Sequence, residues 1–563
     1  MPIFIGGAWP YANGSLHLGH LSSLLPGDIL ARYYRMKGED VLYVSGSDCH
    51  GTPIAIRAEK EGVEPSAIAD FYHQEFTECF RQLGFSYDLY TRTDAPHHYH
   101  YVQELFLRLL NSGCLELREV GQTYCPACSK FLPDRYVEGT CPRCGAHARG
   151  DQCEACQSVL DPTDLTERRC KLCGAEPETR STQHYYLLLS RFQEELERYA
   201  REAEGWRENA VHLTRRYLEE GLVDRAATRD LPWGIDVPVE GFEGKKIYVW
   251  IEAVSGYWTA SRKWAEDTGN DYLPFWSEGA LAYYIHGKDN IPFHTVILPA
   301  LLLGSGGLHL PDRIVSGEYL TLEGQKISTS RGWAVWVPDV LERYEPDSLR
   351  YFITVNSPEK HDGDFSWHEF IRSHNGELVN AFGNFVHRSL VFIVKSFDGR
   401  VPNGRLDESI ERELRGLYDR MSALIEKAEL KKALEECFGF IRRANKYFDE
   451  RKPWSEVQTN PPHAADTLYT CVQIIANLER LLSPFLPFAC AKLAGFLGEP
   501  RPLSELSEPD TETFQADALQ SHRWAFTEVA SGTVLGSIEP LFARIDPARE
   551  AEETERLAAK LKA

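Results

Sequence analysis

The sequence of 563 residues lacks any apolar run of the length, about 18 residues, that a membrane-spanning helix needs. Its longest candidate, at 481–497, is interrupted by two prolines and a lysine. The first seven residues contain no Lys or Arg, so we expect no secretory signal. Hydrophobic residues at 43% and aromatic residues at 12% suffice for packed cores. We therefore predict a soluble, cytoplasmic protein of about four domains with no membrane partner.

Basic residues are also in the minority, since 83 acidic residues against 61 basic ones give a net charge of −22. This balance disfavours a nucleic-acid partner, because phosphate binding draws on Lys and Arg. Binding needs only a local patch, however, and one stretch is basic: Lys431, Lys432, Arg442, Arg443, Lys446, Arg451 and Lys452. The stretch is either an RNA-binding surface or a solvated helix face.

Cysteine is concentrated in one part of the chain. Eight of the 14 cysteines form four Cys-x-x-Cys pairs: Cys125/Cys128, Cys141/Cys144, Cys153/Cys156 and Cys170/Cys173. Four thiolates are a tetrahedral ligand set for Zn²⁺, so eight predict two closed structural sites. Redox chemistry is the alternative, and four pairs so close together disfavour it. The spacing leaves open which pairs share an ion.

The first 50 residues predict one strand–helix–strand unit of a parallel sheet. A short apolar run at 3–5 ends in two glycines and indicates a buried strand. Ser15 is the predicted cap of the following helix. A second strand is predicted at 41–44. This order of elements is typical of α/β proteins.

A cysteine-rich stretch from about 113 to 224 interrupts the pattern. Strands are predicted again at 246–251 and 281–286, followed by a helix at 293–303. We interpret this part as one α/β domain split by an insertion. From about 373 onwards, apolar residues at spacings of three and four predict a helical bundle.

Two motifs suggest phosphate chemistry. His17 and His20 lie three residues apart at a predicted helix N-terminus, where backbone N–H groups and the helix dipole favour an anion. Gly19 between them would let a flat base approach the backbone. Far downstream, the loop 324–330 carries Lys326 among hydroxyl residues and could close over a triphosphate. Each motif alone also fits an ordinary helix or a surface loop.

Together, His17-Leu18-Gly19-His20 and Lys326-Ile327-Ser328-Thr329-Ser330 resemble the two signatures of the class I aminoacyl-tRNA synthetases. Within that class, the chain resembles the methionyl-tRNA synthetases over nearly its full length. Further matching segments are Ala8 to Gly14, Ser47 to Thr52, Tyr248 to Trp250, Gly287 to His294 and Lys452 to Trp454. The resemblance implies a Rossmann-type parallel-sheet catalytic domain split by a zinc-knuckle insertion, followed by an all-α anticodon-binding helical bundle.

The domain limits follow from the order of elements and from this resemblance. We expect the two catalytic halves at 1–115 and 226–325, the zinc-knuckle insertion at 116–225, a KMSKS-like loop and linking domain at 326–372, the anticodon-binding domain at 373–535 and a C-terminal tail at 536–563. A surface helix is predicted in the tail, at 546–563. Without the extra tRNA-binding domain through which some relatives dimerise, the chain is expected to be a monomer.

The resemblance implies that the methionine carboxylate attacks the α-phosphate of ATP, and that methionine then passes from methionyl-adenylate to the 3′ end of tRNA(Met). The implied catalytic residues are His17, His20 and Lys326, which would hold the phosphates with Mg²⁺. The implied ATP-binding set is His17, Gly19, His20, Lys288, Asp289, Lys326, Ser328 and Thr329. Thr329 stands where the family often has a second lysine, so Lys326 is expected to carry more of the task.

The implied methionine-binding set is Ala8, Trp9, Tyr11, Asp48, Trp250, Ala253, Tyr257, Asn290 and His294. Asp48 ends the second predicted strand, where ligands of α/β sheets bind, and its carboxylate suits an ammonium group. Aromatic side chains suit a thioether, since sulfur packs well against rings. Ordinary core packing is the alternative for Trp250 and Tyr257.

The resemblance also implies a nested arrangement of the thiols, with Cys141, Cys144, Cys153 and Cys156 around one Zn²⁺ and Cys125, Cys128, Cys170 and Cys173 around the other. In the helical region, Asn384, Arg388 and Trp454 match positions that would read unpaired anticodon bases.

Three other functions account for parts of this sequence but not for all of it. Another class I ligase, for leucine or cysteine, would need an editing domain for which the insertion is too small, or a metal site for its substrate. A small-acceptor nucleotidyltransferase would not need a helical domain with base-reading residues. A zinc-knuckle RNA-binding protein with an inactive nucleotide fold would not need His17, His20, Asp48 and Lys326 intact.

Overall fold

The computed structural model describes residues 1–132, 136–150, 153, 155–156, 160, 162–499 and 522–560. The expected domains 116–225, 373–535 and 536–563, and the end of the helix predicted at 546–563, therefore include positions outside the described residues. Among the helices of the described ranges, none is both long and apolar enough to cross a membrane.

The first part of the chain is the predicted start of a parallel α/β domain. Its elements are β1 (Pro2–Gly7), α1 (Leu18–Lys37), β2 (Asp40–Ser47), α2 (Thr52–Glu61), α3 (Pro65–Leu83), β3 (Leu89–Arg92) and α4 (Pro96–Asn111). Ile3, Phe4 and Ile5 of β1 are fully buried, because helices cover both faces of a parallel sheet.

The insertion is built on a long antiparallel pair of strands. Its elements are β4 (Leu115–Cys125), β5 (Lys130–Phe131), β6 (Val137–Thr140), β7 (His147–Arg149), β8 (Thr166–Cys170), β9 (Glu178–Leu187), α5 (Gln193–Glu202), α6 (Glu208–Glu219) and β10 (Arg225–Ala226). Strands β4 and β9 pair from Leu115 and Leu187 to Tyr124 and Glu178. A second small sheet, in the order β7-β6-β8, lies in the same insertion, and its cluster with the cysteines packs against Ile56 of α2.

The chain then returns to the parallel sheet. The returning elements are β11 (Thr228–Arg229), β12 (Lys246–Ile247), α7 (Val249–Thr268), β13 (Leu281–Gly287), a π-helical segment (Phe293–Ile297), α8 (Leu298–Gly304) and β14 (Arg313–Gly317). The strand order is β14-β13-β1-β2-β3, all parallel. The order reverses at β1, and ligands of such sheets bind at the carboxyl end of the strands beside this point.

The strand predicted at 246–251 is wrong beyond Ile247, because α7 begins at Val249. The run is rich in β-branched and aromatic residues, which favour strands. Tertiary packing overrides that preference, since α7 buries every residue from Ile251 to Ser261 in the core.

A linking region follows the second half of the sheet. It contains β15 (Leu320–Leu322), β16 (Gln325–Lys326), α9 (Val337–Leu341), α10 (Pro346–Val355), β17 (Gly363–Phe365) and α11 (Trp367–Ser373). Arg350 of α10 is completely buried and donates to Asp28 Oδ2 at 2.7 Å and to the carbonyl of Leu83 at 3.1 Å. Its guanidinium also donates to the carbonyls of Pro484 and Phe485. One satisfied buried cation thus joins α1, α10 and the helical region.

The chain from His374 to Phe496 is mainly helical, as predicted, whereas the described residues 522–548 form turns and irregular chain, so the helical prediction is wrong for 522–535. A π-helical segment (His374–Gly383) leads into α12 (Asn384–Ser396), α13 (Glu408–Ile425), α14 (Leu430–Arg451), α15 (Pro453–Thr459), α16 (Pro461–Leu482), α17 (Pro487–Phe496) and finally α18 (Arg549–Lys560). Helix α18 is not wholly a surface helix. Its Glu553 is 2% exposed and accepts from Arg343 Nε at 2.7 Å, so the helix packs against the linking region.

Candidate active site

His17 and His20 together cap the N-terminus of α1. His17 Nδ1 accepts from the Gly19 N–H at 3.1 Å, and His20 Nδ1 accepts from the His17 N–H at 3.1 Å. The two rings stack with centroids 3.8 Å apart. The predicted cap at Ser15 is wrong, because the Ser15 hydroxyl instead donates to Glu75 at 3.1 Å. Since both Nδ1 atoms accept, both protons lie on Nε2, where they are available to an anion.

Both imidazoles are neutral near pH 7. Burial lowers the pKa of His20 to about 4, and burial together with the adjacent His20 holds the pKa of His17 well below its usual value. The pair therefore contributes hydrogen-bond donors and no positive charge. A developing negative charge at this site requires a cation from another element.

The loop that carries Lys326 lies against the histidine pair. The Leu18 N–H donates to the Val335 carbonyl at 3.1 Å, which ties the start of α1 to the chain beyond the loop. A Cβ built on Gly19 would lie 3.5 Å from Ile327 and 2.9 Å from the His17 ring, so this position has no room for a larger residue. The structure therefore brings His17, Gly19 and the Lys326 loop together.

Lys288 and Lys326 both face the ring of Tyr319, with Nζ 3.8 Å and 5.0 Å from its centroid. Lys288 is held by Glu318 at 2.7 Å and Asp362 at 3.1 Å. Asp289 Oδ1 accepts from the Tyr319 hydroxyl at 2.5 Å. The Ser328 N–H pairs with the carbonyl of Trp333 at 2.9 Å, and Thr329 begins the single helical turn that follows. Lys288, Asp289 and Lys326 thus gather around Tyr319, next to the ends of β13 and β14.

Asp48 and Tyr11 form a buried polar spot at the carboxyl end of β2. The Asp48 N–H donates to the Pro10 carbonyl at 2.9 Å, and the Ala12 N–H donates to the Asp48 carbonyl at 2.8 Å. Within the described part of the chain, no hydrogen-bond partner reaches the buried Tyr11 hydroxyl. A Cβ on Gly51 would lie 2.6 Å from that hydroxyl, so only glycine fits there.

The Asp48 carboxyl is short of positive charge. Burial and, next, the neighbouring Glu252 raise its pKa well above the usual value, while His50 opposes them. Its Oδ1 accepts only weakly from the His50 N–H, at 3.3 Å. A cation placed against this carboxylate would relieve the unfavourable burial.

Trp9, Tyr257 and His294 form one wall of rings, with centroids 6.3 Å apart for Trp9 and Tyr257 and 5.6 Å apart for Tyr257 and His294. The indole of Trp9 lies between Gly46 and Gly256, and a Cβ on Gly256 would come within 2.6 Å of it. The Tyr257 hydroxyl donates to His294 Nε2 at 2.8 Å, and His294 Nδ1 donates to the Asn290 carbonyl at 2.8 Å. Burial lowers the pKa of His294 to about 4, so this wall is neutral.

The remaining members of the predicted methionine set lie on or next to the elements that carry these rings. The Ala8 N–H donates to the Ile285 carbonyl at 2.8 Å, which places Ala8 at the end of β1. Ala253 is buried on α7, whereas Trp250 is 38% exposed and stacks on Phe293 with centroids 4.2 Å apart. Sequence reasoning missed Phe293. Its signal was an aromatic residue immediately before His294 in the same matched segment.

A separate cavity of about 530 Å³ lies behind Gly51, between α2 and the insertion. Its wall includes Phe131, Tyr136 and Trp233. The indole N–H of Trp233 donates to the Cys49 carbonyl at 2.7 Å, which joins this wall to the segment that carries Asp48.

The eight thiols form two groups of four. Cys141, Cys144, Cys153 and Cys156 form one, and Cys125, Cys128, Cys170 and Cys173 form the other, with all ligand atoms of a group within 4.8 Å of one another. Four of the Sγ–Sγ distances run from 3.5 to 3.9 Å. Tetrahedral Zn²⁺ with Zn–S bonds of about 2.3 Å would hold its sulfurs about 3.8 Å apart. The donor set and its spacing fit zinc in both groups.

We expect the purified protein to contain two zinc ions per chain, one in each group of thiols. Replacing Cys141 with Ser removes one ion, and replacing Cys125 with Ser removes the other, because each group has its own ligands. Elemental analysis of the wild type and the two variants measures this. The unrelated buried Cys437 supplies a control substitution that leaves both ions. Loss of both ions from either single variant would contradict two independent sites.

The predicted anticodon residues gather around Phe448 of α14. The Arg388 guanidinium lies 4.3 Å from the Phe448 ring centroid and donates to Asp449 at 2.7 Å. Trp454 is 49% exposed, with its ring centroid 5.7 Å from that of Phe448. Asn384 is exposed one turn before Arg388 on α12. The three side chains share one exposed face of the helical region.

The basic stretch on α14 is largely neutralised by acidic neighbours. Five of its members form ion pairs: Lys432 with Glu429, Arg442 with Glu377, Arg443 with Glu413, Lys446 with Glu450 and Arg451 with Asp407. Paired surface charges of this kind attract phosphates less than free ones do. An RNA-binding surface and a solvated helix face both stay predictions for this stretch.

The chain matches two protein-family models. Residues 3–390 match the family model for class I tRNA synthetases (M), and residues 401–562 match the model for the anticodon binding domain of methionyl tRNA ligase. The parallel sheet, the histidine cap and the lysine loop are thus those of a class I aminoacyl-tRNA synthetase.

Relatives named methionine–tRNA ligase, from Bacillus cereus (strain 03BB102) and Bacillus anthracis (strain A0248), are each 54% identical over 565 residues and are covered completely, as is this chain. The solved structure of Mycobacterium tuberculosis methionyl-tRNA synthetase in complex with methionyl-adenylate has a TM-score of 0.77 and 26% identity, over 96% of this chain and 100% of that one. The chain belongs to the methionine–tRNA ligase family.

Proposed function

We propose that this chain activates L-methionine with ATP and transfers the methionyl group to the 3′ end of tRNA(Met) for protein synthesis. The observation that carries the proposal is the pairing of two sites at the switch point of one sheet. An apolar pocket of Trp9, Tyr257 and neutral His294 adjoins Asp48, whose buried carboxylate has little neighbouring positive charge. The histidine cap and the Lys326 loop lie beside it.

The pocket selects the amino acid through contacts with its ammonium group at one end and its side chain at the other. Asp48 and the Tyr11 hydroxyl receive the ammonium group, which supplies the positive charge that the buried carboxylate needs. Trp9 and Tyr257 contact the thioether, whose sulfur packs well against aromatic rings. The neutral His294, held by Asn290 and Tyr257, leaves no charge against the side chain. Binding of a charged side chain would cost desolvation free energy, because the charge would lose water without gaining a partner.

Activation depends on positioning and on electrostatic stabilisation. The Nε2–H groups of His17 and His20 donate to phosphate oxygens, and their stacking fixes both rings before ATP arrives. Lys326 supplies positive charge as the carboxylate attacks the α-phosphorus and pyrophosphate leaves. Mg²⁺ bound to ATP would neutralise part of the phosphate charge, which leaves Lys326 and the two histidines to orient the phosphates. The zinc ions would hold the insertion's fold, since all four ligands of each are protein thiolates.

The proposal is tested by ATP–pyrophosphate exchange with purified protein and each amino acid in turn, in the absence of tRNA. Exchange that depends on methionine alone is the expected result. Exchange driven by another amino acid would overturn the pocket assignment, and the absence of any exchange would overturn the activation chemistry.

Replacing Trp454 with Ala should raise KM for tRNA(Met) by about tenfold or more, because loss of one base–aromatic stack costs about 1–3 kcal/mol. ATP–pyrophosphate exchange with methionine stays at the wild-type rate, since the residue is far from the catalytic sheet. Aminoacylation at varied tRNA concentration measures the change. Val394→Ala, at another exposed apolar residue of the helical region, is the matched control. A parallel fall in exchange would contradict a role confined to tRNA.

We further propose that the chain acts in the cytoplasm, where it meets its tRNA, and that it acts as a monomer. Light scattering during gel filtration tests the oligomeric state, and a mass of twice 64.0 kDa would contradict the monomer.

A further inference from the structure

A carboxylate lies fully buried behind the methionine pocket. Glu252 stands in the first turn of α7 and is 0% exposed. Its Oε1 lies 2.9 Å from His50 Nδ1, and its Oε2 lies 3.3 Å from His98 Nε2. A buried charge of this kind is costly unless its partners are well placed, so both histidines are needed to keep it.

The second ring nitrogen of each histidine also has a hydrogen-bond partner. His50 Nε2 lies 3.0 Å from the Tyr99 hydroxyl, and His98 Nδ1 lies 2.7 Å from the Thr259 hydroxyl. The Thr259 hydroxyl has one proton and two neighbours, the Gly256 carbonyl at 3.1 Å and His98 Nδ1; when it donates to His98, Nε2–H is left for Glu252. Thr259 is two turns after Glu252 on α7, so the helix holds the His98 ring at both of its nitrogens. Neither ring can turn without losing a buried hydrogen bond.

These two histidines contact the two ends of the methionine pocket. The His50 N–H donates to Asp48 Oδ1 at 3.3 Å, at the end proposed for the ammonium group. The His98 ring centroid lies 6.1 Å from that of Trp9, at the end proposed for the thioether. The pKa values agree with this link: burial would lower the pKa of His50, but Glu252 raises it, and Glu252 also contributes to the raised pKa of Asp48.

We propose that Glu252 is a positioning residue for methionine, which acts through His50 on Asp48 and through His98 on Trp9. The inference rests on the proposed activation of methionine by this site. Glu252 itself does not line the pocket, and sequence reasoning missed it. A single acidic residue among the buried apolar residues of α7 was the signal that could have found it.

The test is Glu252→Gln, which keeps the shape of the side chain and removes its charge. An amide offers one acceptor oxygen in place of two, so one histidine loses its partner. In ATP–pyrophosphate exchange, we expect KM for methionine to rise by about tenfold or more, since small misplacements of binding groups are costly. KM for ATP and kcat should change by no more than about threefold, because the phosphate site is on α1. Asp267→Asn, at an exposed position of the same helix where the carboxylate pairs with Lys263 of that helix, is the matched control.

A second variant, His50→Gln, and the double variant test the route of the effect. If Glu252 acts through His50, the double variant raises KM for methionine by less than the product of the two single effects. Equal increases in KM for methionine and ATP, or an unchanged methionine KM in folded Glu252→Gln protein, would overturn the proposal. If Glu252→Gln does not fold, His50→Gln decides by the same criterion.

Failure of this inference is distinguishable from failure of the proposed function. Methionine-dependent exchange by the wild-type chain keeps the proposed function, whatever the Glu252 variant does. If the wild type shows no such exchange, the proposed function fails, and the role of Glu252 fails with it.

Discussion

Replacing Asp48 with Asn lowers kcat/KM for methionine in ATP–pyrophosphate exchange by about 10³-fold, or about 4 kcal/mol, because truncating one member of a buried charge pair typically costs about 2–5 kcal/mol. The substitution keeps the size of the side chain and its backbone bonds to Pro10 and Ala12. It removes the charge that would face the ammonium group. KM for ATP should stay near the wild-type value.

The same carboxyl predicts the pH dependence of methionine binding in the wild type. Its pKa is raised by burial, so the protonated form persists to higher pH than in an exposed aspartate. Methionine affinity should therefore fall as the pH is lowered through this raised pKa, and Asp48→Asn should lose that dependence. Titration of methionine binding from neutral to acidic pH measures it. A wild-type profile that is flat over this range would contradict the role of Asp48.

Replacing Lys326 with Ala lowers kcat for methionine-dependent exchange by about 10²- to 10³-fold, the usual cost of removing one group that stabilises charge in the transition state. The expected loss is large because His17 and His20 are neutral and cannot supply that charge. Thr329 offers only a hydroxyl where the family often has a second lysine. KM for methionine should remain unchanged, since Lys326 is not among the residues proposed to contact the amino acid.

Lys360→Ala is the control for this variant, because it removes an exposed lysine that pairs with Glu429 at 3.7 Å, away from the histidine cap. Single-turnover measurement of adenylate formation separates the chemical step from product release. A loss below tenfold would mean that another cation, such as Arg331 of the same turn, carries the charge stabilisation.

Several parts of the structure were predictable because they depend on residues close together in the sequence. The buried strand at 3–5, the second strand and the helical bundle follow from local apolar patterns. Where competing local signals were present, tertiary packing decided between them. The run at 246–251 reads as a strand, yet α7 begins at Val249, because a helix there buries its entire middle section in the core.

The candidate site also has some residues that the sequence predicts and others that only the tertiary structure shows. The histidine motif and Asp48 could be found from their short signatures, whereas the cap by the rings of His17 and His20 could not, since it depends on side-chain rotation. Phe293 and Glu252 carried too little local signal to be selected. Both gain their positions from contacts with residues far away in the chain, such as Trp250 for Phe293 and His50 for Glu252.

By itself, the sequence determined the class of fold, the concentration of eight thiols that could hold metal and the residue types at the two ends of the site, because short spacings and residue types carry that information. Only the tertiary structure decided the protonation of the histidine pair, the lack of countercharge at Asp48 and the network of Glu252. These depend on burial and on distances between residues up to about 200 positions apart, and such distances are set when the elements pack together.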